Sequence, residues 1–384
     1  MTPAARIAAA IAVLDEIRAG DAAERALTNW ARRSRYAGSG DRAAVRDYVF
    51  DALRCRRSFG WLGGGEDGRA LMLGALRAGE FDPSTVFTGE GHAPAPVTAD
   101  DEGQPLDIAP EAVRLDTPDW LVPDLKASLG DDFAPVMATL RHRAPVFLRA
   151  NLARTTRDEA ARTLAEEGIE TRPSPLAATA LEVTARARAV SGSAAYRDGL
   201  VELQDAASQA VVEALPQGGR VLDYCAGGGG KSLALAARGA EVFAHDANPG
   251  RMRDLPARAE RAGVRIAQLQ AVERAAPFDL VLTDVPCSGS GSWRRAPEGK
   301  WRLTADMLER LEQTQAAILR RAAPLVAPGG ALAYATCSLL GQENAGQIRR
   351  FMAENSGWHL AEEHRFTPLD GGDGFYLAVL RHKL

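Results

Sequence analysis

From about residue 200 onward, short apolar runs and amphipathic helical stretches alternate regularly, and this alternation limits the fold more than any other feature. The runs are "RVLDYC" (220–225), "EVFAHD" (241–246), "VRIAQLQ" (264–270), "FDLVLTD" (278–284) and "GALAYAT" (330–336). Helical patterns such as "NPGRMRDLPARAERAG" and "TADMLERLEQTQAAILRRAAPLV" separate them, and "WHLAEEHRF" and "GFYLAVLRHKL" offer two closing strands. Strands alternating with helices predict a doubly wound, mostly parallel sheet covered on both faces. Ligands of such sheets bind beyond the carboxyl ends of the strands, so the residues there are the candidates for chemistry.

The 384 residues exceed one ordinary domain. Residues 1–80 read as helical, with apolar positions at helical spacing in "IAAAIAVLDEI", "AAVRDYVFDAL" and "RALMLGALRAG". A Pro/Gly/Asp-rich stretch opens an 81–144 linker with connecting helices, a small α/β segment is expected over 145–200, and the large α/β domain over 201–384. No apolar run is long enough to span a membrane, and the first twenty residues carry no signal-peptide block. Four widely separated cysteines (Cys55, Cys225, Cys287, Cys337) form no CxxC pair, which argues against zinc and against a disulfide scaffold. A reducing cytoplasm and a monomer without metal are the expectation. The net charge of −4 is unusual for a nucleic-acid reader, yet nine arginines face three aspartates between Arg25 and Arg57. Arg294, Arg295, Lys300 and Arg302 form a second basic cluster. Charge alone leaves RNA-binding faces and ordinary solvated faces equally open.

The first strand runs into "DYCAGGGGKS", whose Gly-Lys-Ser ending suggests a phosphate cradle. A P-loop requires glycine where this chain has Cys225, so the start is wrong for a nucleoside triphosphate. Asp223 ends the first strand and Asp246 the second, about twenty residues on, where an acid can accept hydrogen bonds from ribose hydroxyls. No strict G-x-G-x-x-G is present. S-adenosylmethionine (SAM) has no pyrophosphate to hold, so the looser loop suits it. Capping of the following helix is the plainer role for Asp246.

The fourth strand ends in "TDVPCSGSGSWRRAPEGKW" and the fifth in "ATCSLLGQEN", which sets Cys287 and Cys337 at neighbouring strand ends. A free cysteine is most often a small core residue, and Cys55 and Cys225 are expected to pack between helices and under the loop. A pair beside a nucleoside site invites a different reading. Carbon 5 of cytosine is a weak nucleophile until a thiolate adds to carbon 6 and pushes electron density onto it. A nearby acid, for which Asp284 is placed, must then meet ring nitrogen 3, and a second group must help resolve the adduct.

These segments, with "GDGFYLAVL", resemble in order the motifs of the RsmB-like (Nop/Sun) RNA cytosine-5 methyltransferases. "LRANLARTTRDEAARTLAEEGIE" and "YRDGLVELQDAASQ" resemble that family's RNA-recognition-motif-like segment, and "SGDRAAVRDYVFDALR" its NusB-like front domain. The resemblance spans about 145–384 closely and the front more loosely. It implies a class I SAM-dependent methyltransferase with a Rossmann-like seven-stranded sheet. It makes Cys337 the nucleophile and Cys287 the assistant in adduct resolution, gives Asp284 the base contact and sets Lys231 in support. It assigns the cofactor to Asp223, Cys225, Ala226, Gly227, Gly228, Gly229, Gly230, Lys231, Asp246, Arg251 and Asp284. The chain departs from the family in three places. Gly227 and Gly228 stand where Ala-Pro is usual, Gln270 is expected to contact the cofactor in place of an absent acid after the third strand, and the front domain is short.

A DNA cytosine-5 methyltransferase would instead use Cys287 as nucleophile, and the TC motif speaks against it. A non-catalytic RNA-binding assembly factor would not need both cysteines. Among RNA targets, 16S ribosomal RNA is expected from the front domain, with transfer RNA as the alternative.

Overall fold

Alanine- and leucine-rich sequence at the front folds into five helices: α1 (Pro3–Arg18), α2 (Ala23–Arg33), α3 (Ser39–Arg54), α4 (Arg56–Gly63) and α5 (Gly68–Ala78). In the computed structural model, which describes residues 1–382, the Thr2 and Asp67 side chains cap α1 and α5 by accepting from the Ala5 and Ala70 N–H groups. The inward faces bury Ile7, Val13, Leu14, Leu27, Val45, Val49 and Leu73 in one core. The stretch read as linker contains short helical turns and α6 (Glu111–Arg114), then α7 (Val122–Leu129) and α8 (Phe133–Leu140). It is anchored at Asp116, a fully buried residue in the left-handed region (φ 50°). The Asp116 carboxylate accepts from the Ser58 hydroxyl at 2.7 Å and pairs with Arg141 at 2.8 Å. Burial of that charge is offset by the donors around it.

These helices form one compact unit, residues 1–143, which also includes Trp293–Arg302. The rest of the chain from Ala144 forms the second unit. There, β1 (Val146–Ala150), α9 (Arg157–Glu166), β2 (Thr171–Pro173), β3 (Ala180–Val183), α10 (Ala194–Arg197) and β4 (Val201–Leu203) build a small antiparallel sheet of order β2-β3-β1-β4. Its core is Leu148, Ala150, Leu164, Leu181 and Val201.

The alternating region supplies α11 (Ala206–Glu213), β5 (Arg220–Asp223), α12 (Gly230–Ala237), β6 (Glu241–Ala244), α13 (Leu255–Ala262), β7 (Ile266–Gln268) and β8 (Phe278–Asp284). After α14 (Pro297–Arg302), which lies in the first unit, come α15 (Ala305–Ala322), β9 (Val326–Thr336), α16 (Ala345–Glu354), β10 (Trp358–Phe366) and β11 (Phe375–His382). The sheet has seven strands in the order β10-β11-β9-β8-β5-β6-β7. Strands β5 to β9 pair in parallel, and β11 runs antiparallel to both neighbours. Central strands β8, β9 and β11 are buried along nearly their whole apolar stretch, because helices or loops cover both faces. Edge strand β10 instead carries Glu362, Glu363, His364 and Arg365, charges that discourage pairing with another chain. From β5 the chain winds to β6 and β7 on one side, then returns to β8 on the other, so the switch point falls between β5 and β8.

The basic clusters are largely neutralised internally. Arg33 pairs with Glu16 and Arg46 with Glu24, each at 2.5 Å, and Arg57 pairs with Asp119 at 2.8 Å. Lys300 is buried and donates to the Arg54 carbonyl, while the Arg54 guanidinium donates to the carbonyl of Arg294. Burial pulls the Lys300 pKa down to about 8. Within "RRAPEGKW", Arg294 and Lys300 are therefore buried in the helical unit, while Arg295 stays exposed. No helix among the described residues is long and apolar enough to cross a membrane.

Candidate active site

Four parallel strands deliver polar residues to one edge: Asp223 ends β5, Asp246 lies just past β6, Asp284 ends β8, and Cys337 follows β9. Between them opens a cavity of about 610 Å³, within the range of roughly 300–1,000 Å³ typical of ligand pockets. The glycine loop forms one wall through Cys225, Ala226, Gly227, Gly228 and Gly230. Val285, Pro286 and the two cysteines form the other.

The loop's shape follows from its glycines. Gly227 and Gly229 have φ of 52° and 79°, which only glycine adopts readily. A β-carbon on Gly229 would lie 2.2 Å from Leu255 Cδ1, so the side chain it lacks is what lets α13 close on the loop. Asp246 is buried behind the loop rather than lining the cavity. Its carboxylate accepts from the Gly227 and Asn248 N–H groups, each at 2.9 Å, and pairs with Arg251 at 3.2 Å. Arg251 itself lines the cavity. From the other side, buried Arg149 donates to Gln204 Oε1 at 2.5 Å and to the Gly230 carbonyl at 2.7 Å. Gln204 and Ser208, which also line the cavity, carried no signal in the sequence.

Asp223 tests the fit to a cofactor. Ser232 donates to one of its oxygens at 2.6 Å, and the other oxygen is buried without a partner. Burial raises this carboxyl pKa to about 6. A buried orphan acceptor at the cavity wall is suited to a ligand's cationic donor, and the SAM ammonium is such a group. The glycine wall provides the close backbone approach that a nucleoside needs. The residues present therefore fit SAM. Gln270 is exposed just beyond β7 and is not among the residues that line this cavity. Among the described residues no His/Cys/Asp/Glu group is arranged to hold a metal.

At the opposite wall Lys231, the first-turn residue of α12, donates to Asp284 at 2.7 Å. Burial works against the lysine's charge, but Asp284 and Asp223 outweigh it and hold its pKa above the ordinary value. The ammonium also sits 5.0 Å from the Phe375 ring centroid. The Cys287 and Cys337 sulfurs are 3.4 Å apart. Hydrogen bonding to Cys337 and burial push the Cys287 thiol well above its ordinary pKa, so it stays protonated beside its neighbour. Cys225 lines the cavity, and burial raises its pKa as well. Cys55 is buried at the α3–α4 junction, remote in sequence from this chemistry.

One buried carboxylate that the sequence reading did not single out ties the two cysteine loops together. Glu343 accepts from the Ser288 N–H and the Gln315 amide at 2.8 and 2.9 Å, and from the Ser288 and Ser338 hydroxyls at 2.5 Å each.

Known proteins are similar to this chain in sequence and in fold. Residues 210–381 match the family model described as 16S rRNA methyltransferase RsmB/F, and residues 117–190 match its ferredoxin-like domain. The Ribosomal RNA small subunit methyltransferase B of Salmonella arizonae is 33% identical over 299 residues, covering 72% of this chain and 69% of that protein. Among solved structures, PH0851 superposes with a TM-score of 0.78 at 24% identity over 99% of both chains. NSun6 from Pyrococcus horikoshii, solved with SFG, superposes with a TM-score of 0.60 at 19% identity over 69% of this chain and 98% of that one. A relative with a third of the aligned residues in common over more than two thirds of both chains, together with the matching family model, leads to one assignment. The chain belongs to the RsmB-like (Nop/Sun) family of SAM-dependent RNA methyltransferases.

Proposed function

We propose that this enzyme transfers a methyl group from SAM to carbon 5 of a cytosine in small-subunit (16S) ribosomal RNA, through a covalent adduct on Cys337. The observation that carries the reading is the sulfur pair, 3.4 Å apart, on the wall facing the glycine loop. A methylase of exocyclic amines needs no thiol pair. Cytosine carbon 5 needs a nucleophile at carbon 6 and help in removing it.

Asp223 would hold the cofactor's ammonium, with Cys225, Ala226, Gly227, Gly228, Gly229 and Gly230 forming the surface it lies on. Asp246 and Arg251 brace that surface, and Asp246 would accept from the ribose hydroxyls. When bound, SAM supplies an electrophilic methyl group. Cys337 adds to carbon 6, which makes carbon 5 electron-rich. The Lys231–Asp284 pair faces the charge developing on the ring: Asp284 would act as the acid that brings a proton to ring nitrogen 3, with Lys231 as the fixed cation behind it. Cys287, held as a thiol, hydrogen-bonds the Cys337 sulfur as it departs. The target base must leave its stack to reach this wall. The helical front region is read as the RNA-binding part, with the segment at 145–200 presenting the RNA.

The test is methyl transfer from labelled SAM to small-subunit rRNA purified from cells lacking the gene, with sequencing for 5-methylcytosine. One new 5-methylcytosine in that RNA is expected. Label in transfer RNA only, or on a position other than carbon 5, overturns the reading.

A further inference from the structure

Glu343 is fully buried on the turn between β9 and α16. Its four bonds do not go to scattered partners. Ser288 follows Cys287 directly and Ser338 follows Cys337 directly, so a single carboxylate grips the residue after each cysteine. Gln315 of α15, the fourth donor, also donates to the carbonyl of Pro286, the residue before Cys287, at 3.0 Å. The Tyr334 hydroxyl of β9 in turn holds the Glu343 carbonyl at 2.5 Å. The two cysteines lie fifty residues apart in sequence. Their loops also meet directly, the Gly291 N–H donating to the Cys337 carbonyl at 2.9 Å and the Leu339 N–H to Ser290 Oγ at 2.7 Å. Glu343 is the charged group that bonds the residue after each cysteine.

We propose that Glu343 is the positioning residue of the cysteine pair, fixing Cys287 against Cys337 for release of the methylated base. The inference rests on the adduct chemistry proposed above. In that release the carbon 5 proton goes to water, its electrons restore the C5–C6 double bond, and the C6–S bond breaks. The electron pair settles on the Cys337 sulfur, which Cys287 stabilises by donating a hydrogen bond. Addition of Cys337 to carbon 6 does not need Cys287, so loss of the clamp acts on release more than on addition.

Length rather than charge is what the geometry asks of residue 343. A glutamine can keep the Ser288 N–H and Gln315 bonds through its oxygen and donate to both serine hydroxyls through its nitrogen. Alanine reaches neither loop. The test uses the full-length enzyme with SAM and small-subunit rRNA, quantifying by mass spectrometry the Cys337–RNA adduct relative to product. Glu343→Ala is expected to raise that ratio about tenfold or more, since displacements of an ångström cost this much. KM for SAM should stay near wild type, and Glu343→Gln should restore the wild-type ratio. If Glu343→Ala does not fold, Ser288→Ala, which removes one hydroxyl bond, is expected to raise the ratio about threefold. An unchanged ratio in the variant that folds, or Glu343→Gln behaving like Glu343→Ala, overturns the inference. A wild-type enzyme that forms no adduct on Cys337 refutes the adduct reading itself, and the inference falls with it.

Discussion

Replacing Lys231 with methionine is the sharpest perturbation of the cavity's electrostatics. Methionine keeps most of the lysine stem, so the first turn of α12 stays packed while the 2.7 Å bond to Asp284 disappears. Removing one partner of a buried ion pair costs about 3–5 kcal/mol. Here the Asp284 side chain is 31% exposed, so water re-solvates the abandoned carboxylate and the cost falls to about 2–3 kcal/mol. If that stabilisation acts on the charge-developing step, kcat/KM falls about 30- to 150-fold. Lys231 also lowers the Asp223 pKa from its desolvated position, so Lys231→Met moves that carboxyl further above its present value of about 6. The assay is transfer of labelled methyl to RNA, accompanied by a thermal melt. A variant that melts near wild type and keeps more than half of its kcat/KM refutes the role assigned to the pair. Loss of activity in step with the unfolded fraction refutes it too.

Cofactor affinity should depend on pH through Asp223. Its folded pKa is raised from 3.8 to about 6, so in the free protein this carboxyl keeps its proton to higher pH than in the unfolded chain. The stability it contributes is present below pH 3.8 and lost as pH rises to about 6. A cationic ammonium prefers the carboxylate, so SAM should bind about tenfold more weakly at pH 5 than on the plateau above pH 7. Calorimetric titrations that show no change between those values, or an unaltered slope in Asp223→Asn, contradict the contact. Gly229→Ala forces a β-carbon into Leu255 at a positive φ, an overpacking of about 2–4 kcal/mol. A fall in Tm of about 5 °C or more is expected, and a variant melting like wild type shows that the loop relaxes.

The parts of this molecule that were legible in the sequence are those whose causes are local. Strands β5, β6, β8 and β9 announce themselves as apolar runs because helices cover both faces of their sheet. The cysteine pair was legible because strand ends in such a sheet converge. Strand β4, only three residues long (Val201–Leu203), gave no signal. The 81–144 stretch looked like connector because its anchor, Asp116, is held by Ser58, 58 residues earlier in the chain, as well as by Arg141 near the end of the stretch itself. The arginine clusters left RNA-binding and solvated faces equally open, because their long-range acids, as in Arg46 with Glu24, come together only in the fold. Glu343 lay within a quoted motif without distinction, since its partners Ser288 and Gln315 arrive only through folding. Gln270 shows the converse, a position chosen by analogy that the chain leaves exposed.

The central claim is that Cys337 attacks the base while Cys287 assists its release. Incubating wild type, Cys337→Ala and Cys287→Ala with SAM and substrate RNA, then mapping any RNA-linked peptide by mass spectrometry, tests it directly. A peptide containing Cys337 is expected in wild type, no adduct in Cys337→Ala, and accumulated adduct in Cys287→Ala. Adduct retained by Cys337→Ala and abolished by Cys287→Ala would contradict it and exchange the roles of the two sulfurs.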